Sequence, residues 1–316
     1  MRNLTYGDAP GGGHPTGRSR RSAAAQEGES SPERFAELSP YRAEREWTRY
    51  EGTAQRDLFR ELRERFLERN RRACAWTLDG GAGPGRFTAL LGGSGARRVA
   101  LDLSVEMLRL ARSGRAGAPG AEGAPFVVRG DLGAAPFAFG SFGQVALLGN
   151  VLGFAGPAGE RLLSEAERLL TVDGLLLLEI APGPGVRSAY LERLPASAVG
   201  RLFEAPPRAV VPRILREGFV REPRRHRERG FKRWSVPEIV GRYGAPLWAV
   251  QEILAVAPAL GADPARIGAV ASRRRAWARL LETEEAVGHQ RGCWEESAAV
   301  LVAVRRTGGA PVPPPS

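Results

Sequence analysis

The sequence predicts an α/β fold built on a doubly wound, mostly parallel sheet. Three observations carry that reading. Five short apolar runs recur between Thr77 and Pro182, the first three end in an aspartate, and helix-spaced apolar patterns lie between them. Strand and helix in repeated alternation build a parallel sheet whose carboxyl edge takes the ligand.

The first strand ends in Asp79-Gly-Gly81-Ala-Gly83-Pro-Gly85, an acid followed by glycines at alternate positions. Such a turn lets bare backbone lie against a ligand, and a helix is expected to begin at about Arg86. Val99-Ala-Leu-Asp102 is the second strand, and Ser104 is the expected N-cap of the helix that carries Met107 and Leu108. Phe126 to Asp131 is the third strand, Phe142 to Asn150 the fourth and Gly174 to Pro182 the fifth. An amphipathic helix over about 158–170 joins the last two, with Leu162, Leu163, Ala166, Leu169 and Leu170 on its apolar side.

The glycine turn alone fits more than one ligand. A dinucleotide site places its glycines as G-x-G-x-x-G, whereas here they run G-x-G-x-G. A phosphate loop requires a lysine after its last glycine, and the chain's single lysine is Lys232, far from the turn. With 40 glycines in the chain, an ordinary turn is the third reading. The acid ending the second strand, about twenty residues on, is suited to a ribose diol and favours a nucleoside ligand.

On these residues the run from Leu78 to Pro182 resembles a class I S-adenosylmethionine-dependent methyltransferase. The matching pieces are Asp79 to Phe87, Leu101 to Ser104 with Met107 and Leu108, Gly130 to Leu132, Ser141-Phe142, Leu148 to Asn150, and Leu170 to Glu179. The resemblance implies a seven-stranded sheet whose last two strands form an antiparallel edge, and S-adenosyl-L-methionine as the cofactor. It places Gly81, Gly83 and Gly85 at the methionine part, with Asp79 and Arg86 in the same loop. Asp102 is implied at the ribose hydroxyls beside Leu103 and Met107, Asp131 and Leu132 at the adenine, and Asn150 near the methyl group. Two positions depart from the family pattern. Gln144 replaces an acid at the start of the fourth strand, and Asn150-Val-Leu lacks the two prolines of enzymes that methylate amide or exocyclic nitrogens.

Around this core the chain divides readably. Residues 1–32 and 307–316 have the composition of disordered tails, and 41–306 is read as the domain. Residues 41–72 are helical in character, with Leu58, Phe59, Leu62, Phe66 and Leu67 as the apolar stripe. Tyr41, Trp47 and Tyr50 before it either close over the site or anchor the helix. Residues 186–230 read as an insertion on the acceptor side, with a helix over Val186–Leu194 and another through Ile214 and Leu215. Ser235 to Glu238 has the form of a capping box, Leu247–Ala257 reads as a sixth strand, 272–287 as a helix and 298–304 as a final buried strand.

The insertion contains the dense basic cluster Arg221, Arg224, Arg225, Arg227, Arg229, Lys232 and Arg233, with Phe231 and Trp234 alongside. It either grips an anionic acceptor, as RNA binders do, or is a solvated loop paired with Glu217, Glu222 and Glu228. Candidate groups at the acceptor are Asn150, Glu179 near the end of the fifth strand, Tyr190, and His226, which neighbouring positive charge keeps neutral and so basic. The net charge of +11 is almost all arginine in a chain rich in Ala, Gly and Pro, a usage that a GC-rich coding sequence produces without any nucleic-acid partner.

Two cysteines far apart, Cys74 and Cys293, provide neither a disulfide framework nor a metal cluster, and no apolar run is long enough for a bilayer. A cytoplasmic enzyme with a small-molecule acceptor is the expected result. An RNA methyltransferase using residues 221–233, or a non-catalytic module on the same fold, are the alternatives.

Overall fold

The computed structural model describes residues 45–48, 52–113, 123–222, 231–244 and 246–308. Helix α1 (Ala54–Arg69) is capped by the Thr53 hydroxyl, which accepts from the Arg56 amide. Strand β1 (Trp76–Gly80) leads through the glycine turn to β2 (Arg97–Asp102), α2 (Val105–Arg112) and β3 (Phe126–Arg129). Then come β4 (Phe142–Leu147), a short helix α3 (Val151–Ala155), α4 (Gly159–Leu169) and β5 (Leu170–Ile180). The insertion comprises β6 (Val186–Ser188), α5 (Ala189–Glu192), α6 (Ala196–Leu202), α7 (Pro207–Glu217) and β7 (Phe219–Arg221). The chain continues with α8 (Val236–Arg242), β8 (Trp248–Ala255), α9 (Pro264–Ala271), α10 (Arg274–Gly288) and β9 (Val300–Arg306).

Seven strands make one sheet in the order β3-β2-β1-β4-β5-β9-β8. The first five in that order run parallel, and β9 is antiparallel to both β5 and β8. The fold class read from the sequence therefore holds, including the antiparallel edge. Leu175 and Leu177 of β5 enter the core on one face, while Leu176, Leu178 and Ile180 enter the core on the other. This is the two-residue period of a strand buried on both sides. Each such leucine contributes about 1.5–3 kcal/mol by leaving water. On the first face lie α1, α9, α10 and the insertion helices, through Leu58, Leu62, Phe66, Val199, Ile214, Ile267 and Leu280. On the second lie α4 and α8, through Leu162, Leu163, Trp234 and Ile239.

Several expectations need correction. No helix starts at Arg86; only a single 3-10 turn, Thr88–Leu90, follows the glycine turn. Few residues separate Gly85 from β2, and Gly92 and Gly95 take φ of 70° and 76°, which ends any helix there. The expected helix at Val186–Leu194 begins instead as β6, paired antiparallel with β7. The N-terminal helical stretch is interrupted at Gly52 (φ 82°), so α1 starts only after Thr53. Asn150 is not a strand end: it adopts φ 68°, ψ 32° as the residue before α3. Helix α9 lies where no element is expected from the sequence, although Asp263 caps its first amides and Pro264 opens it. Ser104 and the Ser235–Glu238 capping box behave as expected. Among the described residues, no helix is long and apolar enough to cross a membrane.

Candidate active site

The parallel strands bring their carboxyl ends together, so Gly80, Asp102 and Leu147 emerge along one edge of the sheet. The glycine turn is fastened there by backbone, with the Gly81 and Ala82 amides donating to the Leu101 carbonyl at 2.8 and 3.1 Å. Asp102 completes the attachment. Its carboxylate accepts from the Gly83 amide at 2.8 Å and from the Ser104 amide at 2.8 Å. Burial raises the Asp102 carboxyl above the usual range against these backbone hydrogen bonds, which favour the charged form. The Leu103 amide is a third donor to the same carboxylate, which leaves it part of its acceptor capacity.

The three glycines of the turn have different surroundings. A Cβ on Gly81 would lie 2.7 Å from Val151 Cγ2, and one on Gly85 would lie 2.8 Å from Ala111 Cβ. At Gly83, with φ 53°, the same position opens onto space, with nothing within 4 Å. Asp79 lies beneath the turn, buried, accepting from the Thr88 hydroxyl at 2.6 Å. Burial, opposed by that hydrogen bond and reinforced by the Asp102 charge, pushes its carboxyl up to about 7. Arg86 extends beneath Trp47, its guanidinium carbon 4.8 Å from the ring centre, and Trp47 is itself buried. Of the three aromatics considered for a lid, Tyr41 and Tyr50 lie outside the described residues.

Farther along the edge, Asp131 accepts from the Gly133 amide at 2.8 Å and pairs with Arg161 at 2.7 Å. Leu132 is buried, packing over Gly80, and Met107 is buried on α2, while Leu103 is half-buried. The turn after β4 holds Gly149 and Asn150, both with left-handed backbone at φ 67° and 68°. The space on the Cβ side of Gly149 is likewise open. The Asn150 side-chain oxygen is buried and has no hydrogen-bond partner among the described residues. It lies beside Gly153 and the Phe231 ring, which packs edge-on against Phe154 at 5.6 Å between ring centres.

Glu179 meets this turn from the neighbouring strand. Its carboxylate accepts from the Gly149 amide at 3.0 Å and forms a buried ion pair with Arg63 of α1, at 2.6 and 3.1 Å. Asn150 and Glu179 are thus brought together. Tyr190, by contrast, sits on α5 and accepts from Arg213 at 3.4 Å. His226, Arg224, Arg225, Arg227 and Arg229 lie outside the described residues. The described members of the basic cluster are held internally. Arg221 pairs with Glu296, Arg233 donates to the Gly183 carbonyl at 2.7 Å, and the Lys232 ammonium sits 3.5 Å from the Trp234 ring centre. Trp234 is only 2% exposed and donates to the Leu152 carbonyl, so it is no stacking platform. Of the expected partners of the cluster, Glu217 pairs with Arg193, Glu222 holds the Ala262 amide, and Glu228 lies outside the described residues.

Arg63 is the residue that sequence reasoning missed. Its signal is an arginine in the i, i+4, i+7 row Phe59, Arg63, Phe66, on the face of α1 that meets the sheet. Glu179 shares the strand parity of Leu175 and Leu177, which also turn toward α1.

Residues 78–178 match the family model described as "Methyltransferase domain". No match was found among curated proteins. Among solved structures, similarity extends to a TehB-like SAM-dependent methyltransferase from Corynebacterium glutamicum, at 16% identity over 85% of this chain and 99% of that one, TM-score 0.45. It extends also to the Burkholderia thailandensis 1,6-didemethyltoxoflavin-N1-methyltransferase, at 17% identity over 95% and 93% of the two chains, TM-score 0.46. The [4+2]-cyclase SpnF is similar at 12% identity over 78% and 81%, TM-score 0.43. Likenesses this distant bear on neither substrate nor mechanism. Residues 78–178, the segment from β1 to β5 that carries the glycine turn, Asp102 and the Gly149–Asn150 turn, thus resemble a methyltransferase domain.

Proposed function

We propose that this enzyme methylates a small molecule whose reacting group carries an N–H or O–H hydrogen, presented to Asn150. The observation that carries the reading is the buried, unpartnered Asn150 oxygen beside the open flank of Gly149. A buried acceptor without a donor is costly, so a ligand hydrogen is its natural complement. The cofactor fits the same edge: the flanks of Gly83 and Gly149 are open, and Asp102, with three backbone amides on it, keeps an acceptor site for a ribose hydroxyl. Asp131 and Leu132 border the adenine, and Asp79, Gly81, Gly85, Arg86, Leu103 and Met107 shape the surrounding wall.

Bound in this cradle, S-adenosyl-L-methionine supplies an activated sulfonium methyl. The protein's own task is then alignment and exclusion of water. The Asn150 oxygen accepts a hydrogen bond from the reacting group and so turns its lone pair toward the donor side. The amide does not take the proton, which is lost to solvent with the methylated product as S-adenosylhomocysteine is left behind. Trp47 over Arg86 shields the turn from solvent. Glu179, engaged by Arg63 and Gly149, supports the site as a positioning residue. The internal contacts of Arg221, Lys232, Arg233 and Trp234 favour a small acceptor over RNA.

Calorimetry with S-adenosylhomocysteine tests the reading. The wild type should bind it, and Asp102→Ala should weaken binding by about 1–3 kcal/mol, as for charge-assisted hydrogen bonds. Unchanged affinity removes Asp102 from the site. Tight RNA binding that falls steeply with salt would instead favour a nucleic-acid acceptor.

A further inference from the structure

We propose that Arg63 and Glu179 are positioning residues that set the geometry of Asn150 through the Gly149 amide; the proposal rests on the role given to Asn150 above. Three observations join. The Gly149–Asn150 turn is left-handed at two successive residues, and among the described non-glycine residues only Asn150, Asp173 and Ala257 have positive φ. Asn enters that conformation more readily than other residues with a side chain, helped by local side-chain hydrogen bonds, but Asn150 makes no such bond to its helix, so other contacts must help to hold the turn. The Gly149 amide is held by Glu179 Oε2 at 3.0 Å. Glu179 in turn cannot swing, because Arg63 grips both its oxygens in a fork whose two side chains are 7% and 4% exposed.

The direction of the constraint follows from the elements. Glu179 lies on a strand paired on both sides, by β4 and by β9, and is the rigid end. Arg63 lies in the middle of a sixteen-residue helix whose own carbonyl at Phe59 accepts from the same guanidinium at 2.9 Å. The movable partner is the turn. The capping position of α3 lacks any side-chain hydrogen bond from Asn150 to its helix, so the Asn150 amide is not spent on the local backbone. It stays directed at the site because the preceding amide is pinned. A buried pair of this kind adds little net stability over an apolar pair of the same shape. Its contribution is a fixed acceptor for one backbone N–H.

Two double variants separate positioning from stability. R63M/E179Q removes the charges and keeps an oxygen for the Gly149 amide, whereas R63M/E179L removes the charges and the oxygen. Because Gly149 flanks the cofactor, S-adenosylhomocysteine affinity should fall about threefold in R63M/E179Q, whose remaining oxygen is no longer gripped, and about tenfold or more in R63M/E179L, which offers the amide no oxygen. The Asn150 side-chain amide resonances, followed by NMR with no ligand bound, should move in both variants and further in R63M/E179L. Equal affinities for the two variants, or Asn150 resonances that move in neither, overturn the proposal. Amide hydrogen exchange on the unmodified protein tests the clamp without any substitution: Gly149 should be strongly protected in the absence of ligand, and rapid exchange refutes it. Failure of the wild type to bind S-adenosylhomocysteine defeats the cofactor-site reading instead, and the exchange measurement still judges the clamp.

Discussion

At the scale of single residues, the glycine turn separates packing from binding. Gly85 has φ 77° and its missing Cβ would press on both Ala111 Cβ and Ala111 Cα, at 2.8 and 3.0 Å. Gly85→Ala should therefore destabilise by about 2–5 kcal/mol, combining left-handed strain with overpacking. Gly83→Ala meets only the strain, about 1–2 kcal/mol, because its flank is open. It should nevertheless weaken S-adenosylhomocysteine binding more than tenfold, since the new methyl occupies the ligand's side. Urea unfolding and calorimetry on the two variants check the contrast, and equal binding by Gly83→Ala and wild type refutes it. The sequence announced these glycines but could not rank them, because the ranking depends on Ala111 and Val151 folding against two of the three. Gln144 has a similar history. It departs from the family's acid, and the structure gives the reason: its amide donates to the Asn70 carbonyl at 2.9 Å and its oxygen accepts from the Gly92 amide at 2.6 Å. A carboxylate could make only the second of these bonds.

At the scale of elements, the parallel core was legible because each strand is a short apolar run ending in a recognisable residue. The connections were not. The helix expected after Gly85 gives way to one 3-10 turn, since Gly92 and Gly95 impose left-handed backbone just beyond it. The β6–β7 ribbon depends on pairing between Val186 and Arg221, which no local pattern reveals. Helix α1 is likewise fixed by distant partners. Glu252 of β8 accepts from Arg69 at 2.8 Å, from Asn70 at 2.6 Å and meets His289 at 3.0 Å, joining the end of α1 to β8 and α10. Burial works against its charge, but hydrogen bonds from His289, Arg69 and Asn70 outweigh that and hold it at about 2. Glu252→Ala should cost about 1–3 kcal/mol, read as a lower urea midpoint with an unchanged slope. A cost below about 0.5 kcal/mol would show that the helix is held by its apolar stripe alone.

At the scale of the whole molecule, two buried carboxyls set how stability depends on pH. Burial, against hydrogen bonds from the Ala259 and Leu260 amides, raises Glu284 from its ordinary 4.5 to about 7, and Asp79 is raised to a similar value. A carboxyl raised in the folded state keeps its proton where the unfolded chain has lost it. Stability therefore falls as pH rises from about 4.5 to about 7, and is level above. His289, raised by its hydrogen bond to Glu252, acts in the same sense: its contribution is complete below its ordinary 6.5 and is lost as pH rises through the folded value. Glu252 acts oppositely, contributing above 4.5 and failing only as pH falls toward about 2. Glu284, Asp79 and His289 thus favour the acid side of neutrality, against a net charge of +11 that disfavours acid conditions. Glu284→Gln removes one of the titrating groups while keeping a carbonyl for one of the two amides. Its stability relative to wild type should rise by about 1–3 kcal/mol between pH 5 and pH 8, measured by urea unfolding at each pH. A difference constant across that range would mean that Glu284 is ionised throughout, with the two amides outweighing burial, and that Asp79 and His289 carry the slope alone.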